Sequence, residues 1–529
     1  MDSHKNTGVV RAAGILMLST VFSRIVGYVR DIIIGTQFGQ GSLTDAYLAA
    51  FSIPDFLYYL LVGGAVSAAF IPVFSSYVAT GRREEGWRVA STIFNLVIPA
   101  MLAGTLLAAV LAPYIVKELL VPGFTPEYIE LTVTMTRIML VQAFFMALNG
   151  ISMGILNSYQ RFLAPAVASV MYNVCIILFG VLLSPALGIK GFAVGVAAGA
   201  IVQFLIQLTD LRRIGLVYQP VLDWRHPGVR RIVFLMIPVL LGFSMNQLGL
   251  FVQQNISSSL ASGALTAVRW AQRIMQLPIG IFAITIAMAV FPTLTGHAAR
   301  QEMQQFKDNF SLGLRTIFFI TVPSAVGLAV LGKPIIRLMY QQGQFTAAHT
   351  SITAYTLSFF CIGLFAYGGV QLMNRVFYAL QDTWKPVTVG ASAMGLNILL
   401  NFAFIEALGT GGLALAYSLA GIVNLGILLL LLRRKIGAVD GRRILESFIK
   451  TLGISAVMGL AAYGACWGLE TYLIDVGTKT GQLIQVAAGL GVGVAAYFLL
   501  GLKMGMEEMN MVLNVLGRRI KRKKTRIAS

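Results

Sequence analysis

Cysteine, histidine and acidic residues are scarce in this sequence of 529 residues, which contains 3 Cys, 4 His and 21 Asp and Glu. The cysteines lie far apart in apolar runs, so they predict neither a disulfide framework nor a metal site. The few scattered histidines, with no Ser, His and Asp order, argue against hydrolytic chemistry. No Walker motif is present, so any transport must be driven by something other than ATP. The cysteines are Cys175, Cys361 and Cys466.

Charge is also sparse, and its sparseness sets the protein class. Charged residues make up 12% of the chain and hydrophobic residues 57%, with a mean hydropathy of +0.78. These values are typical of a polytopic membrane protein. The net charge of +19 would fit a nucleic-acid partner, but basic residues in such a chain usually lie in cytoplasmic loops. We therefore expect no nucleic acid and no cleavable signal peptide, because the first apolar run contains Arg24 and lacks a cleavage site.

Apolar runs of about 20 residues recur along the chain and predict about fourteen membrane-spanning helices in an all-α polytopic fold. Basic residues cluster in alternate connections and in the basic tail at 506–529, so both termini are predicted to be cytoplasmic and the tail to meet anionic headgroups. The predicted spans are 9–38, 45–78, 88–116, 128–155, 164–184, 191–210, 230–258, 265–296, 311–331, 351–379, 387–405, 412–432, 446–468 and 483–503.

The first twelve spans form two six-helix repeats. Residues 155–167 match 376–388, and residues 187–203 match 408–424, always with an offset of 221 positions. Because six is even, both repeats enter the membrane the same way, as in transporters with a substrate cavity between two lobes. The predicted domains are an N-lobe at 1–222, a C-lobe at 223–440, two extra helices at 441–505 and the tail at 506–529.

The first span carries charges that an ordinary span would exclude. An arginine in the middle of a span costs roughly 2.5–3.5 kcal/mol, yet Arg24, Arg30 and Asp31 lie within this apolar run. Arg24, Gly27 and Asp31 share one helix face. The pattern predicts a helix that lines a water-filled cavity and presents cations to an anion.

The eighth span carries a second polar stripe. Arg269, Gln272, Arg273 and Gln276 recur at helical spacing just before a bend predicted at Pro278. Prolines predict similar interruptions in the second span, at Pro54 and Pro72, and once more in the eighth, at Pro292. Arginine offers paired donors that suit phosphate and keeps its proton. One interpretation is therefore a phosphate-bearing anionic substrate held by the arginines of both spans. The other is snorkelling or salt bridges within the membrane, for example from Arg30 to Asp31 or Asp45.

Two asparagines form a weaker candidate site in the eleventh span. Asn397 and Asn401 share a helix face and offer carbonyl oxygens to a cation such as sodium, although hydrogen bonds between helices explain them equally well. The 54 glycines predict close helix packing rather than phosphate-binding loops.

Four segments resemble the MurJ/MviN family of lipid II flippases, in the multidrug/oligosaccharidyl-lipid/polysaccharide (MOP) exporter superfamily. They are SRIVGYVRD (23–31), FGQGSLTDAYLAAFSIPD (38–55), SAAFIPVF (67–74) and QRIMQLPIG (272–280). The resemblance covers essentially the whole chain. It implies two lobes in a V and alternating access for undecaprenyl-diphosphate-linked peptidoglycan precursor. It further implies that helices thirteen and fourteen form a groove for the polyprenyl tail.

By matching position, the resemblance makes Arg24, Arg30 and Arg273 the essential cavity arginines, and Asp31 and Asp45 the acidic residues of the motif. The resemblance also implies departures in this chain. Many Gram-negative members have an arginine where this chain has Tyr58 and a glutamate where it has Gln276, and some members have a carboxylate near Asn401. The resemblance thus implies a different diphosphate clamp, in which Arg269 takes part.

The sequence therefore predicts a lipid II flippase, not an enzyme, in the bacterial inner membrane. Its expected partners are lipid II, membrane lipids and the cell-wall synthesis machinery. No cofactor is expected. We expect the membrane potential to drive the return step, with sodium at most secondary. The alternatives are a flippase for another polyprenyl-linked glycan, a cation-coupled multidrug antiporter, which would need carboxylates in the lobes, and a scaffold for cell-wall synthesis, which would leave the charged interior unexplained.

Overall fold

The computed structural model describes residues 2–61 and 69–509, apart from the side chains of residues 2–18, 20, 61, 238–246 and 248. This part of the chain forms seventeen α-helices and contains no strand. The predicted all-α class is therefore confirmed. Most of the predicted basic tail, from residue 510 onward, lies outside the described residues, as do residues 67 and 68 of the third segment quoted above.

Most of the described connections between helices are short, and the connection at 214–226 is the longest of them. The first nine are α1 (Asp2–Phe38), α2 (Ser42–Ala50), α3 (Ser52–Leu61), α4 (Ile71–Ala79), α5 (Arg83–Tyr114), α6 (Pro126–Ser158), α7 (Leu163–Leu187), α8 (Lys190–Arg213) and α9 (Pro227–Ser258). The remaining eight are α10 (Ala264–Pro278), α11 (Ile284–Ala299), α12 (Met303–Tyr340), α13 (Ala347–Ala379), α14 (Trp384–Leu408), α15 (Thr410–Ile436), α16 (Gly441–Tyr472) and α17 (Lys479–Lys503).

The helices are long and apolar enough for a multi-pass membrane protein. Within the described ranges, eleven helices or helix pairs satisfy the length and composition of a membrane span, with α10 and α11 together forming one. The other three predicted spans correspond to α1, to the α2–α4 region, which is broken into short helices, and to α9. The predicted polytopic membrane fold is therefore confirmed, and the count of about fourteen spans stays a prediction.

Helix breaks fall at most of the predicted prolines. After Pro278 the chain forms a π-helical segment, Ile279–Ala283, before α11 begins. A proline removes a backbone donor and commonly produces such local widening. Pro54 and Pro72 lie in the first turns of α3 and α4. The interruption predicted at Pro292 is wrong, because α11 continues through this residue.

The backbone repeats the pattern found in the sequence. Gln160 and Gln381 both adopt left-handed conformations, with φ of 59° and 56°, in the turns before α7 and α14. Gly188 and Gly409, with φ of 58° and 54°, end the same two helices. A non-glycine residue with positive φ is uncommon, so its recurrence at equivalent turns supports the two six-helix repeats.

The described chain divides into two compact units. The first comprises residues up to Thr266 together with 342–345, and the second comprises 267–341 and 346 onward. In the first unit, Gln344 N donates to Thr36 O at 2.9 Å, which ties the short 342–345 segment to α1. The domain boundaries derived from the sequence repeat stay a prediction.

Glycines allow helices to approach closely in both units. A Cβ on Gly195 of α8 would lie 2.9 Å from the backbone of Ile176 in α7. In the second unit, a Cβ on Gly363 of α13 would lie 2.5 Å from Ser418 Cα in α15. Both approaches require glycine, in agreement with the packing role predicted from the composition.

The two C-terminal helices pack against α12. Gly459 of α16 lies where an added Cβ would be 2.7 Å from Val326, and Gly489 of α17 contacts Cys466 and Leu331. Near the other end of α17, Tyr497 donates a hydrogen bond to Phe319 O at 2.6 Å. The hairpin of α16 and α17 is thus an integral part of the second unit.

Candidate functional site

In the first unit, Arg30 forms the ion pair that was one of the two interpretations of the sequence. Its Nε and Nη2 donate to Asp31 Oδ1 at 3.1 and 2.9 Å. The Arg30 side chain is 15% exposed and that of Asp31 5% exposed. A charged side chain with so little access to solvent destabilises the fold unless an opposite charge is paired with it. Arg24 on the same helix is exposed, whereas Gly27 is buried.

A hydrogen-bond network from α7 completes the surroundings of Arg30. Arg30 Nη1 donates to Asn173 Oδ1 at 3.2 Å. Asn173 Nδ2 in turn donates to Ser169 O at 3.4 Å and to Ser23 Oγ at 3.5 Å. The Oγ atoms of Ser23 and Ser169 are 3.0 Å apart. The guanidinium plane of Arg30 is therefore fixed by acceptors on two helices.

Asp45 has a structural setting that the sequence did not reveal. It is 2% exposed, and its two oxygens accept from Gly263 N at 2.7 Å and from Thr266 N and Oγ1 at 2.8 and 2.5 Å. These donors lie at the start of α10, where backbone N–H groups have no partner within the helix. Asp45 therefore caps α10. Its predicted role in substrate binding stays a prediction.

The polar stripe predicted in the eighth span lies on α10. Arg269 and Arg273 are half-buried, Gln272 is buried and Gln276 is exposed. Other side chains of this helix, including Ala267, Val268, Ala271, Ile274 and Met275, are buried. On the buried side, Trp270 stacks on Tyr340 with ring centroids 4.8 Å apart. This packing fixes the rotation of α10 within the second unit, so the two arginines come from a rigid helix.

Tyr58, where the resemblance implies an arginine in other members, lies beside a second tyrosine. Tyr58 is half-buried in α3 and contacts Tyr59 edge-on, with centroids 5.3 Å apart. One turn earlier, Asp55 accepts a hydrogen bond from Gln142 Nε2 at 3.4 Å. The sequence reasoning missed Asp55 as a candidate, although an acid in the second predicted span was a visible signal.

Two further polar residues of the spans were missed. Asn173 forms a polar stripe on α7 with Ser169, four residues earlier, and this spacing was available in the sequence. Arg375 in α13 is half-buried, with its guanidinium 5.7 Å from the ring centroid of Phe291. Its place inside a predicted span marked it as a candidate by the reasoning used for Arg24.

The asparagine pair in α14 offers few oxygens to a cation. Asn401 is fully buried, and its Nδ2 donates to Asn397 Oδ1 at 3.4 Å. In the part of the chain that the structure describes, Asn401 Oδ1 is buried and has no hydrogen-bond partner, so it fits one ligand position of a hard cation such as sodium. Among the described residues no group of three or more His, Cys, Asp or Glu exists that could hold a metal ion. Sodium binding here stays a prediction.

Comparison with known proteins decides the family. The sequence model of the family described as "Lipid II flippase MurJ" matches residues 34–477. This chain belongs to the MurJ family. The family consists of transporters, not of enzymes, and the predicted resemblance is confirmed. Together with the membrane-spanning helices, it makes the chain a multi-pass protein of the bacterial inner membrane.

Similar proteins match the chain over nearly its whole length. A Vibrio cholerae protein named probable lipid II flippase MurJ is 31% identical over 510 residues, which cover 94% of this chain and 96% of that protein. The lipid II flippase MurJ of Burkholderia cenocepacia is 29% identical over 492 residues, or 90% and 94% of the two chains.

Solved structures agree with the sequence comparison. A lipid II flippase MurJ in an inward closed conformation matches with a TM-score of 0.76 and 27% identity, covering 93% of this chain and 99% of that one. An inward-facing multidrug resistance MATE family transporter of the MOP superfamily matches with a TM-score of 0.66 and 15% identity, covering 79% and 96%. The MATE similarity shows a shared fold alone.

Proposed function

We propose that this chain flips lipid II, the undecaprenyl-diphosphate-linked peptidoglycan precursor, from the inner to the outer leaflet by alternating access. The observation that carries the proposal is membership of the MurJ family over residues 34–477. The similarity to a lipid II flippase structure over 93% of this chain supports it. The physical task is to move a polar disaccharide-peptide headgroup through the bilayer while its apolar tail stays in lipid.

Arg24 and Arg273 are the residues that we expect to contact the diphosphate. Guanidinium groups bind phosphate oxygens through paired, charge-assisted hydrogen bonds. Arg24 is exposed and Arg273 half-buried, so both retain surface for a ligand. Arg269, one turn before Arg273, is expected to supply the cation that relatives have at the position of Tyr58. Gln276, on the same stripe, is expected to form an uncharged hydrogen bond with the substrate.

Arg30 and Asp31 are expected to act together. The bonds of Arg30 to Asp31 and Asn173 orient the guanidinium, and a phosphate would share it with them. Asp45 serves this site through α10, which it caps and which carries the arginines of the second unit. In this proposal the acids of the motif hold the arginine-bearing helices rather than the substrate.

A cation-coupled antiporter is the candidate from a different class, and the environment of the acids disfavours it. Such a carrier needs a carboxylate that is open to a drug cation or a proton. Asp31 is paired with Arg30, and both oxygens of Asp45 accept backbone or hydroxyl hydrogens. A flippase for another polyprenyl-linked glycan would need the same site residues as a lipid II flippase. Transport assays with different substrates distinguish the two functions.

Orientation, lipid contacts and energy coupling complete the proposal. We expect both termini in the cytoplasm, the polyprenyl tail in a groove formed by α16 and α17, and contact with cell-wall synthesis machinery. The membrane potential is expected to drive the return of the empty carrier, with sodium at Asn397 and Asn401 a secondary contributor. The support is the excess of basic over acidic residues, 40 against 21.

The experiment is rescue of a bacterium depleted of its own lipid II flippase. The unmodified chain is expected to restore growth, whereas Arg24→Ala and Arg273→Ala, at equal membrane levels, are expected to fail. Arg→Lys at either position restores growth in part, because lysine lacks the paired donors. Arg442→Ala, at an exposed side chain on α16, is the matched control and is expected to grow normally. Full growth of both alanine variants would contradict the clamp, and failure of the unmodified chain would contradict the function.

A further inference from the structure

An apolar cavity lies inside the first unit, away from every residue assigned above. It has a volume of about 200 Å³ and is formed by α5, α6, α8 and the connection that follows α8. Its walls include Trp87, Phe94, Leu148, Phe204, Leu208 and Leu216. Apolar cavities of this size do not hold ordered water, because water finds no partners there.

The few polar groups beside the cavity are already occupied. Ser91 Oγ accepts from Gln219 N at 3.1 Å, and the Tyr218 hydroxyl donates to Asn95 Oδ1 at 2.6 Å. Asn95 Nδ2 donates to the carbonyls of Gln219 and Val221 at 3.0 and 2.9 Å. These bonds fasten the 216–223 connection along α5. The polar residues of the lining, Ser91 and Tyr218, are thus already hydrogen-bonded, so the lining suits a hydrocarbon chain better than a sugar or peptide.

The 216–223 connection and the residue after it expose side chains of the types that are typical of a membrane interface. Val217, Tyr218, Leu222 and Trp224 are 49%, 56%, 57% and 68% exposed. Tyrosine and tryptophan prefer the headgroup level of a bilayer, where the ring lies in lipid and the polar atom in water. The connection therefore places the cavity at the boundary between hydrocarbon and headgroups.

Positive charge surrounds this boundary. Arg212 is exposed and directly follows Leu211, a residue of the cavity wall. Two acids of the same stretch are already paired: Asp223 contacts Arg88 at 2.9 Å, and Asp210 contacts Arg213 at 4.0 Å. Further exposed arginines follow at 225, 230 and 231. A clustered positive charge at the membrane surface attracts anionic lipid headgroups.

We propose that this cavity binds one acyl chain of an anionic phospholipid, whose phosphate lies against Arg212. The bound lipid would fill the space between α5 and α8 and seal the first unit against the surrounding bilayer. This site is separate from the proposed diphosphate clamp, so the two proposals fail or succeed independently.

Trp87 in the cavity wall provides a direct probe. The full chain contains five tryptophans; changing Trp224, Trp270, Trp384 and Trp467 to Phe leaves Trp87 as the only one. This variant is placed in phosphatidylcholine nanodiscs and titrated with phosphatidylglycerol brominated on its acyl chain, since bromine quenches nearby indole fluorescence. We expect saturable quenching of Trp87, at least three-fold stronger than with brominated phosphatidylcholine at equal content.

Paired variants separate the cavity from its rim. Ala90→Phe and Ala90→Trp each place an aromatic ring in the cavity and are expected to abolish the saturable quenching. Leu106→Phe, at a side chain of α5 that is 61% exposed, leaves it unchanged. Arg212→Gln is expected to remove the preference for phosphatidylglycerol. The matched control is Arg433→Gln, 221 positions later in the second repeat, which retains it.

Three results would overturn the proposal: equal quenching by both brominated lipids, unchanged quenching when both filling variants fold with unchanged melting temperatures, or displacement by undecaprenyl phosphate at lower concentration than by phosphatidylglycerol. The last result would assign the cavity to the substrate tail instead. Growth rescue by the unmodified chain is measured in parallel, so failure of the lipid site is distinguishable from failure of the proposed function.

Discussion

At the level of single residues, the three aspartates of the first two spans each have a hydrogen-bond donor within the first unit. Asp31 is paired with Arg30, Asp45 accepts from the start of α10, and Asp55 accepts from Gln142. Burying a carboxylate without such partners costs several kcal/mol. Each aspartate is therefore explained by the donor that it binds. The arginines of the spans are then the charged groups that suit an anionic substrate.

Asp45→Ala tests whether this acid caps a helix or contacts substrate. Removal of the carboxylate leaves Gly263 N and Thr266 N without their acceptor, and loss of a cap costs about 0.5–2 kcal/mol. We expect a lower melting temperature in detergent and a proportionate loss of transport, with Asp45→Asn intermediate because asparagine also caps helices. Loss of transport at an unchanged melting temperature would assign Asp45 to the substrate instead.

Contacts of the candidate site between residues that are close in the chain could be predicted from the sequence. Contacts between residues that are far apart in the chain could not. Arg30 and Asp31 are neighbours in the chain, so their pairing was one of two stated interpretations. Asn173 lies 143 positions from Arg30, and Thr266 lies 221 positions from Asp45. Such contacts depend on which helix faces meet, and helical periodicity in a uniformly apolar span does not specify that. The repeat and the span positions, by contrast, follow from hydropathy and self-similarity alone.

At the level of helices, the hairpin of α16 and α17 is fixed to α12 near both of its ends. Towards the start of α12, Arg315 contacts Glu507 and Glu508, in the segment that follows α17, at 3.0 and 2.8 Å, and Ser447 of α16 donates to Glu508. Towards its end, Arg337 contacts Glu470 at 3.1 Å, and Lys479 Nζ donates to the last carbonyls of α12. The two arginines are about 33 Å apart along a helix with a rise of 1.5 Å per residue, close to the apolar thickness of a bilayer.

The buried contact at Arg315 is expected to dominate the attachment of this hairpin. The side chains of Arg315 and Glu508 are 6% and 3% exposed, and removing one partner of a buried pair costs about 3–5 kcal/mol. We therefore expect Glu508→Ala to lower the melting temperature strongly and to speed hydrogen exchange in α16 and α17. Arg442→Ala, which breaks an exposed pair with Glu446, is the control and is expected to change stability by less than about 1 kcal/mol. Equal effects of both variants would refute this ranking.

The same attachment is expected to weaken in acid. Hydrogen bonds from Arg443 and Arg315 lower the pKa of Glu507 below its ordinary value of 4.5. A carboxyl whose pKa is lower in the folded state adds stability above its unfolded pKa and loses it as the pH falls through the folded value. Melting temperatures measured from pH 7 to pH 3 are expected to fall more steeply for the unmodified chain than for Glu507→Gln. Parallel curves would show that Glu507 adds no pH-dependent stability.

At the level of the whole molecule, charge offers an energy source for the return step. A carrier whose spanning arginines outnumber its unpaired acids is net positive when empty, and the cytoplasm is the negative side of the membrane. Moving one charge across the full potential is worth about 2.3 kcal/mol per 100 mV. The empty carrier is therefore expected to favour the inward-facing state, and a bound diphosphate offsets this bias.

Single-cysteine labelling tests this expectation in a background without Cys175, Cys361 and Cys466, all three of which are buried. Collapsing the potential with valinomycin and potassium, at fixed pH and sodium, is expected to increase labelling from the outer side. Asn401→Leu is expected to leave this response intact. Labelling that responds to sodium removal and not to the potential would replace the charge argument with ion coupling.

The most direct test of the proposed function is lipid II translocation by the purified chain in liposomes. Fluorescent lipid II is placed in one leaflet, a negative potential is imposed inside, and the fraction reaching the other leaflet is followed with a membrane-impermeant quencher. We expect translocation well above that of empty liposomes, at least ten-fold slower rates for Arg273→Ala at equal reconstitution, and little transport of undecaprenyl phosphate without the disaccharide-peptide. Lipid II movement no faster than in empty liposomes, under a potential of either sign, would contradict the account.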